Sequence, residues 1–161
     1  MAVDYFMKIE GVDGESKDAD YKNWIDVLSW SWGVSNPSSG MRGGGAGGGR
    51  ADFQSINCIK EIDKASPVLL KNSASGKHFS EAKLIARKAG GDSKVEYLKI
   101  KLKKVFVSDY STGGSADGPI PTESVGLTYK EIKFEYTPQN DDGSAGASSE
   151  FGWKVDENQP A

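Results

Sequence analysis

The chain has 161 residues, with 20 Lys plus Arg against 23 Asp plus Glu and a formal net charge of −3. That length suits one domain with a sizeable core, and 37% apolar residues with 10% aromatics exclude a wholly disordered chain, while 20 glycines point to loop-rich β structure. The acidic balance argues against a nucleic-acid partner, no apolar run reaches the roughly 18–20 residues that span a bilayer, and the single cysteine, Cys58, excludes an internal disulfide.

Met1 to Tyr5 has neither a basic start nor an apolar core, so it does not read as a secretory signal. Val3 to Ile9 alternates as a strand, with Val3, Tyr5, Met7 and Ile9 on one face; Phe6 interrupts the polar side. Gly11 to Asn23 is expected to be an exposed loop whose charges are solvated. Trp24 to Val34 is the next expected strand, placing Leu28, Trp30 and Trp32 on one face and Ile25, Val27, Ser29, Ser31 and Gly33 on the other. It runs into a loop, about residues 36–50, containing seven consecutive small residues, Gly43-Gly44-Gly45-Ala46-Gly47-Gly48-Gly49. Glycine loses the most backbone freedom on ordering and buries no side chain, so such a loop is expected to act on a neighbouring subunit.

Asp52 to Ile62 is expected as a strand in which Cys58 is a buried small hydrophobe. One short helix follows, with Ser66 as N-cap, Pro67 at the first helical position, Gly76 as stop and an apolar stripe of Val68, Leu69, Leu70 and Ala74. The remaining strands are Glu81 to Lys88, Val95 to Ser108, Ser124 to Thr137 and Phe151 to Val155. In two of them the apolar phase changes, near Lys103-Lys104 and near Lys130-Glu131, and one inserted residue at each point would restore a continuous apolar face. Those strands also carry Lys99, Lys101 and Lys103 against Glu131, Lys133 and Glu135, which antiparallel pairing could set opposite one another on an outer face. The fold class is therefore mainly β: a closed or nearly closed barrel of two sheets, one short flanking helix and an extended glycine-rich loop.

Catalytic chemistry is hard to find. The formal G-x-G-x-x-G at Gly43, Gly45 and Gly48 leads into a strand, so no helix end is available for a pyrophosphate. One histidine and one cysteine do not make a zinc site, and Asp141-Asp142-Gly143 lacks the ligand spacing of a calcium loop. His78 is the sole candidate general base and lacks a nucleophile pattern around it. No cofactor, no metal and no enzymatic activity are expected.

A series of short motifs then becomes specific through its order: Asp13-Gly14-Glu15-Ser16, Ile25 to Gly33, the glycine loop, Ile62-Asp63-Lys64-Ala65-Ser66-Pro67, Ser75-Gly76-Lys77-His78-Phe79, Arg87 to Gly91, Val95-Glu96-Tyr97-Leu98 and Phe151-Gly152-Trp153. Together they resemble the haemolysin-coregulated protein (Hcp) family, the inner-tube component of bacterial type VI secretion systems, from Met1 to about Val155. The resemblance implies a barrel assembled as a homohexameric ring with a wide pore, and rings stacked into a tube similar in fold to phage tail tubes. It implies sheath, spike-tip and effector proteins as partners, and secretion to the extracellular space without an N-terminal signal. It also implies the plain tube form, a single domain over residues 1–161 with no fused C-terminal domain.

On that reading the loop residues Pro37, Met41, Arg42, Gly43, Gly44, Gly45, Ala46, Gly47, Gly48, Gly49 and Arg50 reach a neighbouring subunit or ring. Ser29 and Ser31, small and polar on the face opposite the tryptophans, are the candidate pore-facing cargo contacts. A monomeric barrel that binds a small apolar ligand, and a hydrolase using His78, are the competing readings; bulky aromatics argue for a filled interior against the first.

Overall fold

Alternating apolar and polar residues decide which face of each strand turns inward, and the points where alternation breaks decide where a strand leaves one sheet for another. The computed structural model describes residues 3–36, 50–88 and 94–161. Its first sheet contains β1 (Val3–Ile9), β2 (Ile25–Val27), β7 (Phe79–Lys88), β8 (Glu96–Gly113), β10 (Glu131–Tyr136), β11 (Ser149–Lys154) and β12 (Gln159–Pro160), in the order β12-β11-β10-β8-β7-β1-β2. The second contains β3 (Ser29–Ser31), β6 (Ile56–Glu61), β9 (Thr122–Thr128) and the distal part of β8. A separate two-stranded ribbon joins β4 (Val34–Ser35) to β5 (Asp52–Phe53), and α1 (Ser66–Ser75) is the helix among the described residues. The chain is thus mainly β with one short helix.

Both expected phase changes are real breaks. Lys104 takes a positive φ of 55°, and there β8 passes from pairing with β7 and β10 to pairing with β9. Leu98, Ile100 and Leu102 are buried before the kink and Val105 and Val107 after it. The second break separates β9 from β10, so this strand too serves both sheets.

A third break lies where the alternation predicts one continuous strand. The expected strand Trp24 to Val34 is three short strands, because the chain changes phase at Leu28. Ile25 and Val27 are buried beside β1, Trp30 and Trp32 pack on the core from β3 onward, and Leu28 is left 51% exposed. Leu28 therefore does not share a face with the tryptophans, and Ile25 and Val27 do not share one with Ser29 and Ser31. Asp52 to Ile62 is likewise divided, into β5 and β6. The sheets are curled and open rather than a closed barrel: β2 bonds to β1 and β3 to β6, and the bond from Leu28 N–H to the Ile59 carbonyl (2.7 Å) falls between these two ladders.

Between the sheets lies one apolar cluster that includes Ile9, Ile25, Ile56, Ile100, Val105, Val107, Leu127 and Ile132. Cys58 is buried in it, and burial pushes its thiol up to about 12. The helix differs in detail from expectation. Ala65 is the N-cap, Ser66 lies inside the first turn, and the Asp63 carboxylate accepts the Ala65 N–H (3.0 Å). Gly76 does end the helix, with φ 74°. Only Leu69 of the apolar stripe is buried, and Val68 and Leu70 face solvent.

Nor is Gly11 to Asn23 a simple exposed loop. Tyr21 stacks on Phe6 (4.5 Å between centroids), and the guanidinium of Arg87 lies 5.1 Å from the centroid of each ring. Arg87 donates to Asp18 (2.5 Å), Asp20 (3.3 Å) and Asp4 (3.4 Å), so Asp18 and Asp20 tie the loop to the sheet. Hydrogen bonds from Arg87 and from the Asp20 N–H hold the Asp18 carboxyl below its ordinary value of 3.8. A depressed folded-state pKa contributes stability that is complete above 3.8 and lost as pH falls through the folded value. Denaturant titrations are therefore expected to show the wild type losing stability below pH 4 more steeply than Asp18→Asn, with the two curves parallel near neutrality.

Gly14 packs so closely that a Cβ built there would sit 2.5 Å from the Trp24 carbonyl oxygen and 2.7 Å from the Ile25 Cα. Backbone cannot move aside as a side chain can. Gly14→Ala is expected to destabilise by about 1–3 kcal/mol, read from the urea midpoint.

Candidate functional site

The two sheets present different outer faces. On the first sheet, successive strands align Glu81, Lys103, Glu131 and Lys154 in one cross-strand row and Lys8, Lys83, Lys101 and Lys133 in the next. The expected confrontation of lysines with glutamates is partly realised. Lys103 pairs with Glu131 (3.2 Å), Lys99 lies opposite Glu135, and Lys101 faces Lys133. Exposed pairs of this kind add little stability.

The outer face of the second sheet is built from small and mostly uncharged residues. Register places Ser31, Asn57, Gly126 and Asp109 in one row across β3, β6, β9 and β8, and Ser29, Ile59, Ser124 and Ser111 in the next. Ser29 and Ser31 are exposed. A Cβ on Gly126 would lie 3.1 Å from both the Asn57 Oδ1 and the Asp109 Cβ, so these two side chains close over the glycine and keep the wall low. Asn57, Ile59, Asp109, Ser111, Ser124 and Gly126 were not among the expected site residues. Each sits at a period-two position of its strand, but only pairing across distant segments brings them beside Ser29 and Ser31.

This wall has a free strand edge on each side. Among the described residues, β3 bonds only to β6, and residues 106–113 of β8 bond only to β9. Unpaired edges expose rows of N–H and C=O groups that another chain can extend.

Of the loop residues, Pro37, Met41, Arg42, Gly43, Gly44, Gly45, Ala46, Gly47, Gly48 and Gly49 lie outside the described residues. Arg50 lies at the base of the ribbon and donates to the Val155 carbonyl (2.9 Å). That base is held by aromatic stacking of Trp32 on Phe53 and Phe134, and of Phe53 on Trp153. Trp32 Nε1–H donates to the Tyr129 hydroxyl (2.6 Å), which donates to the Gln54 carbonyl (2.8 Å). Burial pushes the Tyr129 hydroxyl up to about 12, so it stays a donor throughout the physiological range.

Among the described residues no enzyme-like constellation accompanies the wall. His78 is exposed with its ring 5.1 Å from that of Phe106, and the described residues contain no group of three His, Cys, Asp or Glu placed to hold a metal ion.

Residues 6–136 match the family described as type VI secretion system effector, Hcp. The chain belongs to the Hcp family. It is 47% identical over 162 residues to the protein hcp1 of Pseudomonas aeruginosa, with each chain covered in full. In three dimensions it superposes on a structure described as a type six secretion system protein with a TM-score of 0.93, at 33% identity and with 99% and 100% of the two chains covered. It superposes on Hcp1 from Salmonella typhimurium with a TM-score of 0.81, at 37% identity and with both chains covered in full. The protein is therefore an Hcp-type tube and effector component of a type VI secretion system, a secreted structural family rather than a known enzyme family.

Proposed function

We propose that this Hcp-family chain works as a building block without catalysis. Six copies form a ring, with the small polar wall of the second sheet facing a central channel. The observation that carries this is the wall's position between two unmatched strand edges, β3 and the distal half of β8. Joining the first edge of one copy to the second edge of the next is a head-to-tail contact, the kind that closes into a ring. The barrel that the open sheets do not complete alone is then completed by the assembly. Stacked rings form a tube that carries effectors, with the sheath and spike-tip proteins as further partners. The glycine loop reaches a neighbouring subunit or ring, and the chain leaves the cell without an N-terminal signal.

Light scattering tests the ring directly, with about six times the 17.3 kDa chain mass expected and end-on electron micrographs showing a pore. A persistent monomer at high concentration would defeat the proposal. Cargo contact is tested separately. Ser31→Arg puts a long cation on an exposed wall position and is expected to abolish effector retention while the ring mass stays the same. Undiminished retention would remove Ser31 from the channel.

The small-ligand reading is not favoured, because the space between the sheets is filled by Ile9, Ile56, Ile100, Leu127 and Ile132. His78 gains no support as a base: its ring lies against Phe106, and the one cysteine is buried with a raised pKa.

A further inference from the structure

The inner faces of β6 and β9 pair Ile56 with Leu127, Cys58 with Val125, and Lys60 with Glu123. The last pair is charged and fully enclosed: the Lys60 side chain is 2% exposed and that of Glu123 0%. Lys60 Nζ donates to Glu123 Oε1 (3.0 Å), to the Ser66 hydroxyl (3.2 Å) and to the Glu61 carbonyl (3.0 Å), and lies 2.9 Å from Asp63 Oδ1. The Ser66 hydroxyl also donates to Glu123, while Glu123 Oε2 has no partner among the described residues.

We infer that Lys60 and Glu123 act as positioning residues that fix the register of the small polar wall. A slip of one residue between β6 and β9 is already forbidden, because it would turn the apolar face outward. A slip of two is not. It keeps every side chain on its own face and exchanges Ile56, Cys58, Val125 and Leu127 for one another. Outside, Ile59, Ser124 and Thr128 offer little opposition, and the fit of Asn57 over Gly126 is the contact there that resists it. The ion pair discriminates most sharply, because a two-residue slip leaves a buried ammonium and a buried carboxylate facing apolar or missing partners. Such a slip would shear the wall rows by about 7 Å, two residues of strand rise, and lift Gly126 away from Asn57. Asp63 and Ser66 bring the first turn of α1 to the same rung, so the helix position follows the register. The inference stands whether or not the copies close into a ring.

Disulfide trapping in a Cys58→Ser background tests it. Ser124→Cys is combined in turn with Ile59→Cys, Asn57→Cys and Glu61→Cys, which report the native register and the two slips. Directly opposed Cα atoms lie about 4.5–5.5 Å apart, within disulfide reach, whereas diagonal ones at about 7–8 Å are beyond it. With Lys60 and Glu123 present, Ile59→Cys is expected to bridge in at least tenfold greater yield than either diagonal partner. In the K60M/E123L and K60Q/E123Q variants a diagonal pair is expected to bridge in comparable yield while the circular dichroism stays native. If both folded variants bridge only the Ile59 pair, the inference is overturned. Loss of folding in both variants would also overturn it, since the pair would then supply stability rather than register. An unchanged bridging pattern alongside intact rings would leave the ring reading standing and remove only the register role.

Discussion

Lys60→Met is expected to lower the unfolding free energy by about 3–5 kcal/mol, because it strands a carboxylate in the core. Glu123 has no exposed side-chain surface, and its Oε1 oxygen receives Lys60 and Ser66. Without the ammonium the carboxylate keeps one hydroxyl donor and has no route to water. For a chain of this size the loss corresponds to a fall in melting temperature of about 6–20 °C. Glu123→Leu is expected to cost less, since Lys60 retains Asp63, Ser66 and the Glu61 carbonyl. The K60M/E123L double variant is expected to recover most of the loss, because two charges are then exchanged for apolar side chains. Urea midpoints for the four proteins form a double-mutant cycle. A double variant as unstable as the sum of the singles would show that the two side chains do not act as a pair.

The second large effect concerns assembly. Proline has no N–H and is tolerated on a strand edge where that N–H faces solvent, but it breaks a ladder where the N–H is bonded. Successive residues of a strand alternate in this respect, so Ser111→Pro and Thr112→Pro on β8 form a matched pair. One of them removes a bond to β9 and is expected to destabilise the subunit. The other touches only the free edge and is expected to leave the circular dichroism and melting temperature native. That edge variant is expected to elute as a monomer at concentrations where the wild type elutes as a ring, a fall in assembly of at least a hundredfold. If both variants assembled normally, the β8 edge would not be the subunit contact.

Much of the architecture was legible from alternation alone. The breaks near Lys104 and Lys130 announced themselves because apolar residues on either side kept strict period two and disagreed in phase. The break at Leu28 was hidden because Leu28, Trp30 and Trp32 happen to maintain that spacing, so an exposed leucine looked like core. Closure into a barrel was over-read: a chain can supply the bends without supplying the last ladder. For the candidate site, Ser29 and Ser31 stood out by size and polarity, but Asn57, Asp109, Ser111 and Ser124 required register, which follows from long-range pairing. Lys60 and Glu123 were invisible for a different reason. Charge in a strand reads as exposure, and a partner 63 positions away gives no local sign that the exposure is cancelled.

The three kinked segments have a mechanical meaning. Chain from β2 to β3, the whole of β8, and chain from β9 to β10 each run through both sheets. Sheets that merely stack can glide over one another at the expense of side-chain packing. Here gliding would stretch covalent backbone at three places, so a load applied to one sheet reaches the other with little give. Such stiffness suits a part that must keep its shape under load.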